Sequence, residues 1–255
     1  MSRRHLIIPD TQVKPGVDTS HIDWAALAIV DYKPDVVVHL GDHFDMSSLS
    51  TYARQGEREG LRVAEDIHAG VTTLARLVGP AHAESKRLKD GHRERWNPEL
   101  HFLLGNHEHR ISRAILDHPE LQGTLSLDTL GIDVMGFTRH DFLEIVEIDG
   151  ISYSHYFSNT HSGRPIGGSI DNRLNKIGRT FVQGHEQGFL YGVRQLPGDL
   201  TRHGLVAGSF YLHDEAYRGK QGNGEWRGIV VLNEVHDGKF DIMPLSMEYL
   251  RRRYS

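Results

Sequence analysis

Cysteine is absent from the 255 residues of this chain. Without thiols the chain has no disulfide framework, no thiolate metal site and no cysteine nucleophile. It also lacks any apolar run near the roughly 20 residues that a transmembrane helix needs, and its first residues lack the apolar segment of a secretory signal peptide. We therefore expect a cytoplasmic protein with no membrane partner.

An excess of positive charge is missing too, since the formal net charge is -5. This argues against a broad nucleic-acid-binding surface, although not against a local one. With 38% hydrophobic and 25% charged residues, the composition is typical of a globular chain long enough for one sizeable core. What the chain does have is 18 histidines. Histidine is the commonest metal ligand and the usual acid-base group near neutral pH, so its positions matter.

Apolar runs and helical patterns alternate along the first half of the chain. Buried strands are predicted at residues 5–8, 35–40 and 100–104. Helices are predicted at residues 22–32, 61–78 and 111–116. This alternation indicates an α/β arrangement.

The second half contains mainly strand patterns separated by turn signals. Asp149-Gly150 and Asp237-Gly238 are typical of hairpin turns. Strands are predicted around these turns and at residues 179–183, 204–211 and 228–233. We expect them to form a second, more antiparallel sheet built from the C-terminal half.

Polar clusters directly follow several of the predicted strands. They are Asp10-Thr11-Gln12, Gly41-Asp42-His43-Phe44-Asp45, Gly105-Asn106-His107-Glu108, His155 and Gly184-His185-Glu186-Gln187. Functional groups of α/β proteins collect at the carboxyl ends of strands. Carboxylates, an amide oxygen and imidazoles suit Mn, Fe, Zn or Mg better than soft metals. The pattern therefore predicts a metal site at one edge of the sheet.

In this order the clusters resemble those of the calcineurin-like metallophosphoesterase family. The match runs from Asp10 to Gln187, and Gly105-Asn106-His107-Glu108 is its most specific part. The resemblance implies one domain over residues 1–255, with an α/β fold of four αββα layers in which two mixed β-sheets are flanked by helices. It also implies two divalent metal ions, with Mn favoured and Mg, Fe, Zn and Ni as alternatives.

The resemblance also implies a role for each site residue. The metal ligands would be Asp10, Gln12, Asp42, Asn106, His155, His185 and Gln187. Asp42 would bridge both ions, and a metal-bound hydroxide would be the nucleophile. His107 would be the general acid or would bind the transition-state phosphate, and Asp45 would orient it. Arg110, together with Asn106 and His107, would contact the substrate phosphate; a plain helix-start role for Arg110 stays open.

Two ligands depart from the family pattern. Gln12 and Gln187 stand where the family usually has histidines, and both would serve the first metal. A neutral amide oxygen should bind that metal more weakly and favour Mn or Mg over Zn. Alternatively, one of these glutamines is not a ligand, and His43 or a water takes its place. His161 is likewise an alternative to His155.

The function that we predict is a two-metal phosphodiesterase or nuclease acting on nucleic acid or nucleotides. One ground is the basic stretch at residues 85–96, which we interpret as an exposed loop within an insertion near residues 79–98. The other is that the chain resembles the phage-type and nuclease-like members of the family. A phosphomonoesterase is one alternative, although Met46-Ser47 stands where protein Ser/Thr phosphatases usually carry Arg-Gly. An inactive metal-binding scaffold of the same fold is the other alternative.

Overall fold

The computed structural model describes residues 2–51, 59–93, 95–198, 200–215 and 218–255. The helices are α1 (Ser20–Tyr32), α2 (Val63–Asp90), α3 (His109–Asp117), α4 (Ile170–Ile177), α5 (Gly219–Asn223) and α6 (Met247–Tyr254). The strands are β1 (Arg3–Ile8), β2 (Val36–His39), β3 (Glu99–Leu103), β4 (Thr138–His140), β5 (Val146–Ile148), β6 (Ile151–Ser154), β7 (Phe181–Gln183), β8 (Phe189–Leu196), β9 (Leu200–Ala207), β10 (Gly228–His236) and β11 (Lys239–Ser246).

The strands form two mixed sheets. The first has the order β11-β10-β1-β2-β3-β4, in which β1 to β4 run parallel and β10 pairs antiparallel with β1. The second has the order β5-β6-β7-β9-β8, with β6, β7 and β9 parallel. In both sheets, consecutive parallel strands place their carboxyl ends along one edge.

Alternate residues of the central strands point to opposite faces, and both faces are covered. An apolar cluster between the two sheets includes Ile7, Val38 and Val182. A second cluster joins the outer face of the first sheet to α1, α2 and α6. A third, smaller cluster lies under α4 on the outer face of the second sheet. The four αββα layers implied by the family resemblance are therefore confirmed.

The C-terminal hairpin is where the predicted topology was wrong. We expected β10 and β11 in the second sheet, but β10 pairs with β1, with Leu6 opposite Val231. Residues 228–232 are all buried. A continuous apolar run of this kind needs cover on both of its faces, which a central position next to β1 provides. The second sheet is correspondingly mixed rather than mainly antiparallel.

The basic stretch at residues 85–96 also differs from the prediction. We expected a helix that ends at Val78 and then a loop, but α2 continues past Pro80 to Asp90. Residue 94 lies outside the described residues. Trp96 Nε1 donates to the carbonyl oxygen of Pro34, which precedes β2, at 2.8 Å. The stretch therefore reaches the amino-terminal edge of the first sheet. At about 3.3 Å per residue of strand, this edge lies about 15 Å from the carboxyl-terminal edge.

Within the described ranges, no helix is long and apolar enough to cross a membrane. The cytoplasmic location stays a prediction.

A buried polar network joins the two sheets. Tyr153 of β6 and His5 of β1 are both fully buried, and their Oη and Nδ1 atoms lie 2.6 Å apart. On the other side of the ring, His5 Nε2 lies 2.8 Å from Asp149 Oδ2. A carboxylate only accepts, so Nε2 donates to Asp149 and Nδ1 accepts from the Tyr153 hydroxyl.

We expect Tyr153→Phe to lower the free energy of unfolding by about 1–3 kcal/mol, because it leaves the buried Nδ1 of His5 without its donor. Urea denaturation measures the loss. Tyr191→Phe is the matched control, since Tyr191 pairs with His203 Nδ1 at 3.0 Å in a more exposed part of the second sheet. Equal losses in the two variants would contradict the role of burial.

Candidate metal centre

Five predicted ligands lie just beyond the carboxyl ends of five parallel strands. Each lies at most three residues after the end of its strand. In the order β1, β2, β3, β6 and β7, they are Asp10, Asp42, Asn106, His155 and His185. The two sheets are joined at this edge, because His155 after β6 contacts the carbonyl oxygen of Leu40 after β2 at 2.7 Å. The ligands of both sheets therefore converge on one place.

Four of these residues surround one point. Asp42, His155 and His185 each offer a ligand atom, and the three atoms lie within 4.8 Å of one another. Asn106 Oδ1 lies 3.0 Å from His155 Nε2 and 2.8 Å from His185 Nδ1. The sequence placed these groups together, and the structure shows a buried Asp/His cluster that is able to hold a metal ion.

The chemistry of His155 fits a cation at this point. Its Nδ1 donates to the carbonyl oxygen of Leu40, so in the neutral ring the Nε2 lone pair faces into the cluster. There Nε2 meets two acceptors, Asn106 Oδ1 at 3.0 Å and Asp42 Oδ2 at 3.4 Å. Three acceptors facing one another repel, and a metal ion bound by all three removes that repulsion.

Without a bound ion, a proton on His155 takes the place of the cation among these groups. Burial, together with the neighbouring Asp42, raises the pKa of Asp10 to about 7. Burial also opposes ionisation of Asp42, but His107 and His155 outweigh it and hold the pKa of Asp42 well below its usual range. Against its own burial, His155 is raised to a pKa of about 9 by Asp42. A divalent cation would favour the ionised carboxyls and the neutral imidazole.

The predicted first metal position is less complete. Asp10 Oδ1 accepts from the backbone N–H of His185 at 3.0 Å, and the backbone N–H of Gln12 donates to the carbonyl oxygen of Asp42 at 2.9 Å. The side chain of Gln187 is held by Tyr211, whose hydroxyl donates to Oε1 at 2.5 Å. Metal ligation by Gln12 and Gln187 stays a prediction.

Two alternative histidine ligands have other surroundings. The ring of His43 lies between Thr11 Oγ1, 2.8 Å from Nδ1, and the carbonyl oxygen of Gly70, 3.0 Å from Nε2. That ring is therefore fixed between β1 and α2. His161 lies in an exposed turn, where its backbone N–H donates to Asn159 Oδ1.

The predicted acid and its orienting carboxylate are in contact. His107 Nδ1 lies 2.7 Å from Asp45 Oδ1, and His107 Nε2 lies 3.7 Å from Asp42 Oδ2. Burial lowers the pKa of His107, but Asp42 and Asp45 outweigh that effect and raise it. This arrangement keeps a proton on Nδ1 and directs Nε2 toward the metal cluster.

Arg110 is buried beside this imidazole. Its Nη1 donates to the carbonyl oxygen of Asp45 at 2.6 Å, and its Nη2 lies 3.2 Å from His107 Nε2. The guanidinium is therefore tied to the acid and its orienting loop. A contact with substrate phosphate stays a prediction.

Glu108 received no role from the sequence, but it holds two of the site loops together. Its carboxylate accepts four backbone N–H bonds of 2.8–3.0 Å, from Asp42, His43, Phe44 and Gly105. Gly105 must approach closely, since a Cβ there would lie 2.1 Å from Asp42 Oδ1. We call Glu108 with its four N–H donors the Glu108 clamp. The sequence signal that could have indicated this clamp is the carboxylate in a Gly-x-x-Glu turn after a buried strand.

Arg173 is a second residue that the sequence did not single out. Its fully buried guanidinium donates to the carbonyl oxygens of Ile166 and Gly168 and pairs with Glu186 Oε2 at 2.5 Å. Glu186 directly follows His185, so α4 and the glycine-rich loop are tied to the turn that carries a metal ligand.

Several site residues adopt a strained backbone conformation. Gln12, Asp42 and His185 have φ angles of 39°, 50° and 64°. Non-glycine residues rarely adopt positive φ, and where they do at a site the surrounding contacts must hold them. The N–H of Asp42 is held by Glu108, that of His185 by Asp10, and that of Gln12 by the carbonyl oxygen of Asp42, and these bonds supply the constraint.

Comparison with known proteins gives a partial sequence match and matches to solved structures. No protein-family model matches the chain. The Gene 54 protein of Mycobacterium phage L5 is 26% identical over 146 residues, which are 53% of this chain and about half, 51%, of that protein. The crystal structure of TT1561 of Thermus thermophilus aligns with 96% of this chain and 99% of that protein, at a TM-score of 0.38 and 9% identity.

We expect Glu108→Gln to lower the free energy of unfolding by about 2–5 kcal/mol. The glutamine NH₂ group would replace one carboxylate oxygen, so two of the four buried backbone N–H groups would face a donor and lose their acceptor. Urea denaturation in EDTA measures the change without metal. Glu120→Gln is the control, since the Glu120 side chain is 71% exposed. If both variants unfold alike, the clamp does not stabilise the loops.

Saturating Mn²⁺ should raise the melting temperature by roughly 5–10 °C when present at about 100 times its Kd, because the ion binds only the folded site. Asp42→Asn should abolish most of this rise, since it removes the central charge but keeps the side-chain shape. Asp128→Asn, whose side chain is 80% exposed, is the control. An undiminished rise in Asp42→Asn would place the bound ion elsewhere.

Proposed function

We propose that this chain is a metal-dependent phosphoesterase of the calcineurin-like family that binds two divalent ions, with Mn favoured. The observation that carries the proposal is the convergence of Asp10, Asp42, Asn106, His155 and His185 beside the Asp45–His107 pair. Metal ligands alone would also suit a structural ion. A buried imidazole that is oriented by a carboxylate and directed at those ligands supports catalysis.

The roles of the residues follow from their places. Bound divalent ions would polarise the phosphoryl oxygens and supply a nucleophile from water at neutral pH. As a general acid, His107 would carry protons on both ring nitrogens, with Arg110 Nη2 no longer donating to Nε2. It would then protonate the departing alcohol oxygen from Nε2, while Asp45 holds the proton on Nδ1 and stabilises the ring. Arg110 would hold the ring of His107 and the loop of Asp45 in fixed positions relative to each other.

Within this class we favour phosphodiesters of nucleic acid or nucleotides. A monoester dianion carries more charge than a diester and needs additional cations around its oxygens. Among the described residues, the cationic side chains beside the Asp45–His107 pair are Arg110 and Lys14. Arg110 donates to the carbonyl oxygen of Asp45, and Lys14 pairs with Glu215 at 2.6 Å. A diester therefore suits the site better. The basic stretch at residues 85–96 supports this choice no longer, because it reaches the opposite edge of the sheet.

The substrate class is tested with Mn-loaded protein on bis-p-nitrophenyl phosphate and p-nitrophenyl phosphate. We expect faster turnover of the diester. Turnover of the monoester alone would support a phosphomonoesterase. No turnover with Mn, Mg, Fe, Zn or Ni would support the alternative of an inactive metal-binding scaffold.

We expect His107→Asn to lower kcat by about 10²–10⁴-fold, the usual contribution of a general acid. Metal content by atomic absorption should stay near that of the wild type, because His107 is not among the predicted ligands. His118→Asn is the control, since the side chain of His118 is 65% exposed. Loss of metal from His107→Asn would instead make His107 a ligand.

A further inference from the structure

Half-buried aromatic rings extend away from the metal cluster on one side. The ring centroid of Tyr156 lies 4.6 Å from that of His185 and 5.9 Å from that of His155. Phe142 follows, 5.7 Å from Tyr156, and His109 stacks on Phe142 at 4.7 Å with 23° between the ring planes. Tyr156, Phe142 and His109 are called the aromatic shelf below.

The fold places the aromatic shelf beside the site. Tyr156 is the residue after the ligand His155, and His109 begins α3 three residues after the ligand Asn106. Phe142 lies two residues after β4, the strand next to β3 at the edge of the first sheet. All three rings therefore belong to the loops at the edge where the phosphate would bind.

These rings are not explained by the apolar cores alone. Phe142 packs against the margin of the cluster under α1 and α2. The ring of Tyr156 contacts two polar rings, His155 and His185, as well as Phe142. All three rings stay partly exposed. A partly exposed aromatic surface that borders a polar site is typical of a ligand-binding surface.

A cation accompanies the aromatic shelf. Arg113 lies one helical turn after His109 on α3, and burial together with the Arg113 charge lowers the pKa of His109. Within the described ranges, Arg113 Nε is buried and has no hydrogen-bond partner. Aromatic rings next to a cation match a nucleotide, in which a planar base lies beside charged phosphates.

We propose that the aromatic shelf stacks the nucleobase next to the phosphate held at the metal cluster. This inference rests on the proposed phosphodiesterase function and specifies its substrate as a nucleotide or nucleic acid. Stacking accepts every base, so the shelf would favour a base over no base without selecting a sequence.

The test compares two diesters with the same leaving group, thymidine 5′-(p-nitrophenyl phosphate) and methyl p-nitrophenyl phosphate. Mn-loaded wild-type protein should show a higher kcat/KM for the thymidine ester. Tyr156→Leu should lower the ratio of the two values by about 5- to 150-fold, the range of one base–aromatic stack. Tyr156→Phe, which keeps the ring, should retain most of the ratio.

Tyr254→Leu is the matched control, because Tyr254 is a half-buried tyrosine that contacts Asp31 on α1 and Arg253 on α6. Its ratio should equal that of the wild type. Phe142→Leu is a second test of the aromatic shelf if Tyr156→Leu fails to fold. A wild-type ratio near 1, or a ratio unchanged in folded Tyr156→Leu and Phe142→Leu, would overturn the proposal.

Calorimetric binding of thymidine 5′-phosphate and methyl phosphate to the Mn-loaded protein separates this proposal from the phosphoesterase assignment. Tighter binding of the nucleotide that is lost in Tyr156→Leu supports the aromatic shelf even if neither diester is hydrolysed, and in that case only the proposed activity fails. Hydrolysis of both diesters together with equal binding of the two phosphates would contradict base stacking on the aromatic shelf and would still support the phosphoesterase activity.

Discussion

The geometry of the site depends on the carboxylate of Glu108. Four amide donors from the loops after β2 and β3 point at its two oxygens. Those loops carry Asp42 and Asn106, so the distance between two metal ligands is set by a residue that is not one of them. Burial and Asp42 raise the pKa of Glu108, and the amide donors counter this rise only in part. The positive φ of Asp42 is held by the same bonds.

The two metal positions that we propose differ in how completely their ligands are assembled. Asp42, Asn106, His155 and His185 are fixed by contacts that come from both sheets, which suits a position that binds its ion firmly. The residues expected around the other ion are a raised-pKa Asp10 and two glutamines, one of which is held by Tyr211. The difference lies in charge as well as in number, because amide oxygens do not compensate a divalent cation as carboxylates do. If the chain binds two ions as proposed, we expect firm binding at the first of these positions and weaker binding at the other.

Much of the fold and of the candidate site was predictable from the sequence, because both rest on local patterns. Short apolar runs followed by Gly-Asp, Gly-Asn and Gly-His indicate strand ends that carry polar groups. The partner of β10 was not predictable in this way, since hydrophobic alternation does not say which strand lies beside it. The predicted end of α2 was wrong because the helix was drawn only as far as its apolar periodicity at Val78 and the polar stretch beyond was interpreted as a loop, while the helix continues past Pro80 to Asp90.

The clamp and the aromatic shelf were missed for a related reason. Glu108 and Tyr156 stand next to predicted ligands, but their roles depend on groups that are distant in sequence. A single sequence shows that a glutamate is present and does not show that four amides converge on it. Arg173 is similar, because a fully buried arginine is an exception that composition disfavours. Only the surrounding carbonyl oxygens and Glu186 account for it.

The hydrogen bond from His185 to Asp10 joins residues 175 positions apart. Contacts of such long range form late in folding, because a large part of the chain must be ordered before they are gained. During synthesis, residues up to 155 could emerge and begin to pack while the metal cluster still lacked its last imidazole. Metal capture at the proposed centre would therefore follow the docking of β7 rather than nucleate the fold.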